Sequence, residues 1–214
     1  MDNIIEISCL KHRYEDGTSV HICNSHFSAK AGEIVIITGK NGSGKSTLLH
    51  HIVGLLEPTK GEVKVFGTDV SKKEFESLRK DIGIVLQDVD EQLIAPTVKE
   101  DISFSPVNYN WKPSLIEEKS SQIMKQLGIF HLKDKAPHYL SGGEKKKVAL
   151  AGALIMNPKL LILDELFANM DDESKNLIIE LLIKLNKENK TTIIMTSHES
   201  EIVKKFKSRI FSIN

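Results

Sequence analysis

Neither sign of charge is in excess in this chain of 214 residues, where 29 lysines and arginines cancel 29 aspartates and glutamates. A protein that lives on bare nucleic acid carries a basic surplus to meet phosphate charge, so the balance argues against DNA or RNA as a partner. Cysteine is scarce. Cys9 and Cys23 have no paired CxxC spacing, too little for a zinc site or a disulfide framework and in keeping with a reducing compartment. No run of 18 apolar residues occurs, and the start, Met1-Asp2-Asn3, lacks the basic-then-apolar plan of a signal peptide. The expectation is a soluble, cytoplasmic chain that reaches any membrane through a partner. Internal repeats, low-complexity tracts, heptads and long linkers are also missing, which leaves one domain over residues 1–214. A chain of this size buries roughly 70% of its extended surface and needs no disulfide or structural metal to fold.

What is present is an alternation of short β-branched runs with longer helical patterns, the mark of a largely parallel sheet flanked by helices. Residues 34–37, 82–86, 160–163 and 191–196 read as buried parallel strands. Residues 46–53 read as a helix ending near Gly54. Ile178, Leu181, Leu182 and Leu185 recur at helical spacing behind the acidic cap Asp171-Asp172. Two regions break the rhythm. Residues 4–8 and 61–67 alternate like half-exposed strands of an antiparallel layer. Residues from about Thr97 to Met156 carry almost no β signal and read as a helical insertion, broken at Pro106, Pro113, Gly128 and Pro137.

Three segments carry chemistry. Gly39-Lys40-Asn41-Gly42-Ser43-Gly44-Lys45-Ser46 matches GxxxxGK[ST] between a buried strand and a helix. Its glycines let backbone N–H groups turn inward around phosphate oxygens, and the helix start adds its positive end. Lys45 supplies charge to the β- and γ-phosphates, and the Ser46 hydroxyl is a hard oxygen ligand for Mg²⁺. Asp164 and Glu165 directly follow the run Leu160-Leu161-Ile162-Leu163, at the strand end where open α/β sheets bind ligands. Asp164 can hold the Mg²⁺ shell there, and Glu165 can polarise the water that attacks the γ-phosphate. Leu140-Ser141-Gly142-Gly143-Glu144 forms a second cap and anion nest, without a lysine, at the start of a helix running through Val148, Ala151 and Ile155. Two phosphate-cradling helix starts in one chain suit a nucleotide sandwiched between two copies.

The order GKNGSGKST, Gln87, LSGGE, LLILDE, Asp171, His198 resembles the nucleotide-binding domain of ABC transporters, over essentially the whole chain. The resemblance implies a P-loop NTPase core, ATP and Mg²⁺ as cofactors, and nucleotide contacts from Gly39, Asn41, Gly42, Ser43, Gly44, Lys45, Ser46 and Thr47. Tyr14 matches the aromatic residue that stacks on adenine, an interaction of about 1–3 kcal/mol. Gln87 matches the glutamine that reaches metal and water, joining Ser46 and Asp164 as metal candidates. His198 matches the histidine at the γ-phosphate and Asp171 the aspartate that links two subunits. Ser141, Gly142, Gly143 and Glu144 would meet the nucleotide held by the other subunit. Tyr14-Glu15-Asp16-Gly17-Thr18, the segment from Gln87 to Val98 (QDVDEQLIAPTV) and LSGGEKKKVALAG are similar to motifs of cobalt, nickel and energy-coupling-factor vitamin importers. That subgroup implies membrane-spanning partner subunits, a homodimer or heterodimer of ATPase subunits, and a peripheral place on the cytoplasmic face of the membrane. Alternatives are an ABC ATPase of another transporter class or a soluble ABC ATPase acting outside transport.

Departures from the family pattern are local. DELFANMD stands for DEPTAGLD, which places Leu166, Asn169 and Met170 where proline, glycine and leucine are usual. Lys147 stands where arginine is common. With the sequence ending at Asn214, no added C-terminal region is expected to hold a dimer, which would depend on ATP and the membrane partner. His50 and His51 are adjacent on one helix and so do not share a face, which argues against a metal role. Lys145-Lys146-Lys147 reads as a solvated helix face and Trp111 as an anchor of the helical insertion. Leu93-Ile94-Ala95-Pro96 is expected either to line a groove for a helix of the membrane partner or to pack into the core.

Overall fold

Alternate side chains of the central strands enter two different cores, so the buried apolar runs mark a sheet covered on both faces. The computed structural model describes residues 3–22 and 26–213. The chain opens with β1 (Asn3–Arg13), β2 (Ser19–Ile22) and β3 (Phe27–Lys30), followed by β4 (Ile34–Gly39), α1 (Lys45–Ile52), β5 (Lys60–Val65) and β6 (Thr68–Asp69). A 3₁₀ stretch over Lys73–Asp81 leads into β7 (Ile82–Val85). Next come α2 (Val98–Asn108), α3 (Pro113–Gln126) and α4 (Gly142–Leu154), then β8 (Leu160–Leu163), α5 (Asp172–Asn189), β9 (Thr192–Thr196), α6 (Ser200–Lys205) and β10 (Arg209–Ile213).

The strands form two five-stranded sheets. One is parallel throughout, in the order β10-β4-β9-β8-β7. The other is antiparallel, with β1 pairing β2, β3 and β5, and β6 extending β5. Ile34, Ile36, Leu161, Leu163, Ile193 and Met195 face the core shared with α2, α3, α4 and α5. Val35, Ile37, Leu160, Ile162 and Ile194 face the core shared with α1 and the antiparallel layer. The phosphate loop leaves β4, an inner strand of the parallel sheet, and β9 separates β4 from β8. All three strand ends therefore open on one crevice.

The α/β class, the antiparallel layer and the helical insertion agree with the sequence expectations, and four details differ. Pro106 does not break a helix: α2 runs through it to Asn108, the ring buried in the last turn, where the lost N–H is only one bond. Strand β10 was not anticipated, because its sequence Arg-Ile-Phe-Ser-Ile is too mixed to read as buried, yet it pairs with β4 along its length. The lysines 145–147 are not a solvated face, since all three are partly buried. Finally, Cys9 is disulfide-bonded, contrary to the expectation of a chain without disulfides. It lies in β1 next to the Leu10–Ile22 pair that ends the ladder with β2. Cys23 lies outside the described residues.

Candidate functional site

The loop between β4 and α1 can close because its last residue before the helix is glycine. Gly44 caps α1 at φ 94°, and a Cβ there would fall 2.3 Å from Val20 of β2. Lys45 is buried, and its ammonium donates to the carbonyls of Gly39 and Lys40, both at 3.1 Å. The Ser43 hydroxyl is buried without a hydrogen-bond partner. A buried hydroxyl without a protein partner, beside a lysine in a glycine nest, fits phosphate oxygens. Above the loop lies a cavity of about 450 Å³ bordered by Tyr14, Asn41, Gly42, Ser46, Thr47, Gln87 and Glu165. Tyr14 is half-buried and its hydroxyl is bonded to Thr47 Oγ1 at 2.8 Å. The His12 ring meets both Tyr14 and His51 edge-on, at centroid distances of 4.5 and 4.9 Å. His51 bonds the Leu56 carbonyl through Nδ1, while its buried Nε2 has no partner. Burial lowers its pKa to about 4, with His12 and His50 adding to the effect. Among the described residues no group of three or more His, Cys, Asp or Glu could hold a metal.

Strand register assembles the acidic half of the site. Leu163 of β8 pairs with Met195 of β9, which puts Asp164 beside Thr196. The Thr196 hydroxyl donates to Asp164 Oδ1 at 2.6 Å and accepts from the Glu165 N–H at 2.8 Å. Asp164 is 2% exposed, and its second oxygen, Oδ2, is buried with no partner. A buried carboxylate oxygen left open toward a cavity fits a divalent cation, and Ser46 and Gln87 border the same cavity of about 710 Å³. Glu165 turns sharply, at φ 46°, and its carboxylate lies 3.2 Å from His198 Nε2. Glu165 and His198 thus form a pair at the mouth of the crevice.

The altered loop after Glu165 is built to fit. Leu166, Phe167 and Met170 are all buried in the core. Asn169, at φ 58°, takes the left-handed position where the family has glycine, a conformation that asparagine tolerates better than most residues. Asp171 caps α5 by accepting from the Ser174 N–H at 2.7 Å, a bond that holds its carboxyl below the usual range.

Ser141 and Glu144 form a reciprocal capping box at the start of α4. The Ser141 hydroxyl donates to the Glu144 carboxylate at 2.7 Å, which keeps Glu144 below its ordinary pKa. Ser141 and Gly142 are exposed, and Gly142 borders the same cavity as Ser46 and Asp164. Lys145 of this helix pairs with Asp90 at 2.6 Å. Lys146 donates to the carbonyls of Glu165 (3.2 Å) and Ala168 (2.6 Å). Burial pushes the Lys146 ammonium down, against the opposing pull of Glu165 and Glu199.

Sequence reasoning missed Thr196, Lys146, and Val20 and Thr18, which also border the cavity above the phosphate loop. Thr196 was within reach: it is the hydroxyl that ends the apolar run Ile193-Ile194-Met195 of β9, at the same register as Asp164. The other three belong to the site only through pairing and packing that no local pattern encodes.

The family model described as ABC transporter matches residues 22–168, and a model of an AAA domain matches the shorter segment 133–204. Two energy-coupling factor transporter ATP-binding proteins are similar to the chain. The one from Methanothermobacter thermautotrophicus is 40% identical over 99% of this chain and 68% of its own, and the one from Methanocaldococcus jannaschii is 41% identical over 97% and 75%. The curated relatives extend further: the chain spans 65% of a Methanosarcina acetivorans relative that is 39% identical to it. Among solved structures, cbiO1 from Clostridium perfringens, part of the ABC transporter complex cbiONQ, has a TM-score of 0.83 and 39% identity over 100% of this chain and 86% of that one. A dimeric ATP-binding cassette in a post-hydrolysis state bound to ADP and Pi has a TM-score of 0.87 and 27% identity over 98% and 94%.

Proposed function

This chain belongs to the ABC transporter ATP-binding proteins, and from that premise we propose that it binds and hydrolyses ATP to energise an importer of the cobalt or energy-coupling-factor kind. One observation carries the hydrolytic part of the reading: Glu165 and His198, 3.2 Å apart, stand at adjoining strand ends beside the phosphate loop. In this reading the loop glycines, Ser43 and Lys45 hold the phosphates. Tyr14 supports the base. Glu165 takes a proton from the attacking water while His198 fixes the carboxylate and meets the γ-phosphate. Ser46, Gln87 and Asp164 would hold Mg²⁺, which when bound neutralises phosphate charge as the bond to the leaving oxygen breaks. A second ATPase subunit would offer its Ser141, Gly142 and Gly143 to the same nucleotide.

No helix among the described residues is long and apolar enough to cross a membrane, so the proposed place is peripheral, on the cytoplasmic face, docked on membrane-spanning subunits. Cobalt, nickel or a vitamin is the cargo class, carried by those partners without touching this subunit. The assay is phosphate release with Mg²⁺ and ATP. Glu165→Gln should lose turnover by at least about a hundredfold, the scale of a removed general base, while retaining ATP binding. Lys45→Ala should lose binding itself, because that charge meets the ground-state phosphates. Turnover unchanged in Glu165→Gln would remove the base assignment.

A further inference from the structure

We propose that Lys146 is a positioning residue for the water-activating carboxylate: it holds the backbone of Glu165 in its left-handed turn and ties it to the helix whose start faces a second copy of the chain. The inference rests on the ATP-hydrolysis reading and deepens it.

Glu165 sits at φ 46°, a conformation that a side-chain-bearing residue keeps only where its surroundings over-determine it. Both of its backbone groups are held. The N–H donates to Thr196 Oγ1 at 2.8 Å. The carbonyl accepts from the Ala168 N–H at 3.2 Å, which closes the turn, and from Lys146 Nζ, also at 3.2 Å. The same ammonium bonds the Ala168 carbonyl at 2.6 Å. One charge therefore spans the turn from its first carbonyl to its fourth, in a partly desolvated place where such bonds are strong. The Glu165 carboxylate attracts the ammonium but makes none of these hydrogen bonds, and it pairs with His198.

The other end of the link is the helix. Lys146 lies five residues after Ser141, about one and a half turns along α4. Nothing flexible intervenes between the exposed helix start and the lysine, because the capping box fixes the first turn and Val148, Leu150 and Ala151 are fully buried behind it. A displacement of the helix start is passed to the Glu165 carbonyl through a single side chain. In a nucleotide sandwich, α4 meets the ATP held by the partner while Lys146 sets the base that acts on the ATP held by its own phosphate loop. Each subunit would thus sense one nucleotide and adjust hydrolysis of the other.

The test compares wild type, Lys146→Met and Lys146→Arg as full-length chains, reading kcat, KM, the Hill coefficient for ATP, ATP binding affinity and melting temperature. Met keeps the stem and removes the donors, so kcat should fall about tenfold and the Hill coefficient approach 1, with ATP affinity within about twofold of wild type. Arg can bridge two carbonyls and should recover most of the rate and the cooperativity. Unchanged kcat and Hill coefficient in Lys146→Met would overturn the proposal. So would an equal loss in both variants that tracks melting temperature, which is a merely structural role. If Lys146→Met does not fold, Lys146→Gln, whose shorter amide cannot span both carbonyls, is judged by the same criteria. A wild-type chain that binds ATP without hydrolysing it would instead defeat the functional reading, which separates the two failures.

Discussion

Thr196 joins the two acidic residues at the strand end: its hydroxyl donates to Asp164 and accepts from Glu165. Replacing it by Val keeps the shape but strands a buried carboxylate oxygen and a backbone N–H. We expect Thr196→Val to lower stability by about 1–3 kcal/mol in urea unfolding and to reduce turnover, with Thr196→Ser restoring both. Equal stability in the two variants would remove the hydroxyl from this role. His51 gives a second residue-scale expectation. It is fully buried, and its pKa falls to about 4 from an ordinary value near 6.5. The unfolded chain then binds the proton more readily than the folded one, so stability is complete above pH 6.5 and falls as pH drops toward 4. The shift corresponds to about 3 kcal/mol at most. Urea midpoints between pH 7.5 and 4.5 should fall in wild type and fall less steeply in His51→Asn. Parallel slopes would assign the acid sensitivity to other groups.

At the scale of elements, the segment after β7 is stitched at several points. The Gln92 side chain donates to the Ile84 carbonyl and accepts from the Leu86 N–H, so it returns the loop onto its own strand. Asp101 accepts from the N–H groups of Ile94 and Ala95, and Asp90 pairs with Lys145 of α4. Between these ties, neighbouring apolar residues have opposite fates. Leu93 packs against the core, whereas Ile94 is 68% exposed and borders a groove with Phe104, Tyr109 and Met156. Leu93 thus meets the expectation of core packing, while Ile94 borders a groove whose occupant is a matter for experiment. Ile94→Asp should leave melting temperature and basal ATPase near wild type while pull-down of the membrane subunit and transport in cells fall together. Leu93→Asp should instead lower melting temperature by several degrees, as buried charge does. Wild-type transport in Ile94→Asp would rule this groove out as the seat of a helix of the membrane partner. A non-repeating loop carries no period, so nothing in the sequence could separate these two residues.

For the molecule as a whole, the exposed start of α4 and the phosphate loop are the surfaces a nucleotide-bridged dimer would use. Glu165→Gln should move from monomer to dimer on size-exclusion chromatography when ATP and Mg²⁺ are added. Adding Gly142→Asp to that variant should keep it monomeric. A Cβ at Gly142 meets nothing within 4 Å, so the fold is spared while the new charge opposes the partner's phosphates. A dimer that persists in the double variant would place the contact elsewhere.

Local chemistry was decided by sequence alone: the phosphate loop needs glycines and Lys45 at fixed offsets, the acids follow an apolar strand, and Asp171 and Ser141 cap the helices they precede. Such features act within a few residues, so they are written in consecutive letters. Tertiary structure decided what depends on distant pairing. The register of β8 on β9 brought Thr196 to Asp164. The pairing of β10 with β4 made a strand of a mixed segment, and the path of α4 across the turn after β8 turned Lys146, one of a run of three lysines, into a clasp on Glu165. Those contacts join residues about twenty to 175 positions apart, and burial and register, which place them, arise only when the sheet closes.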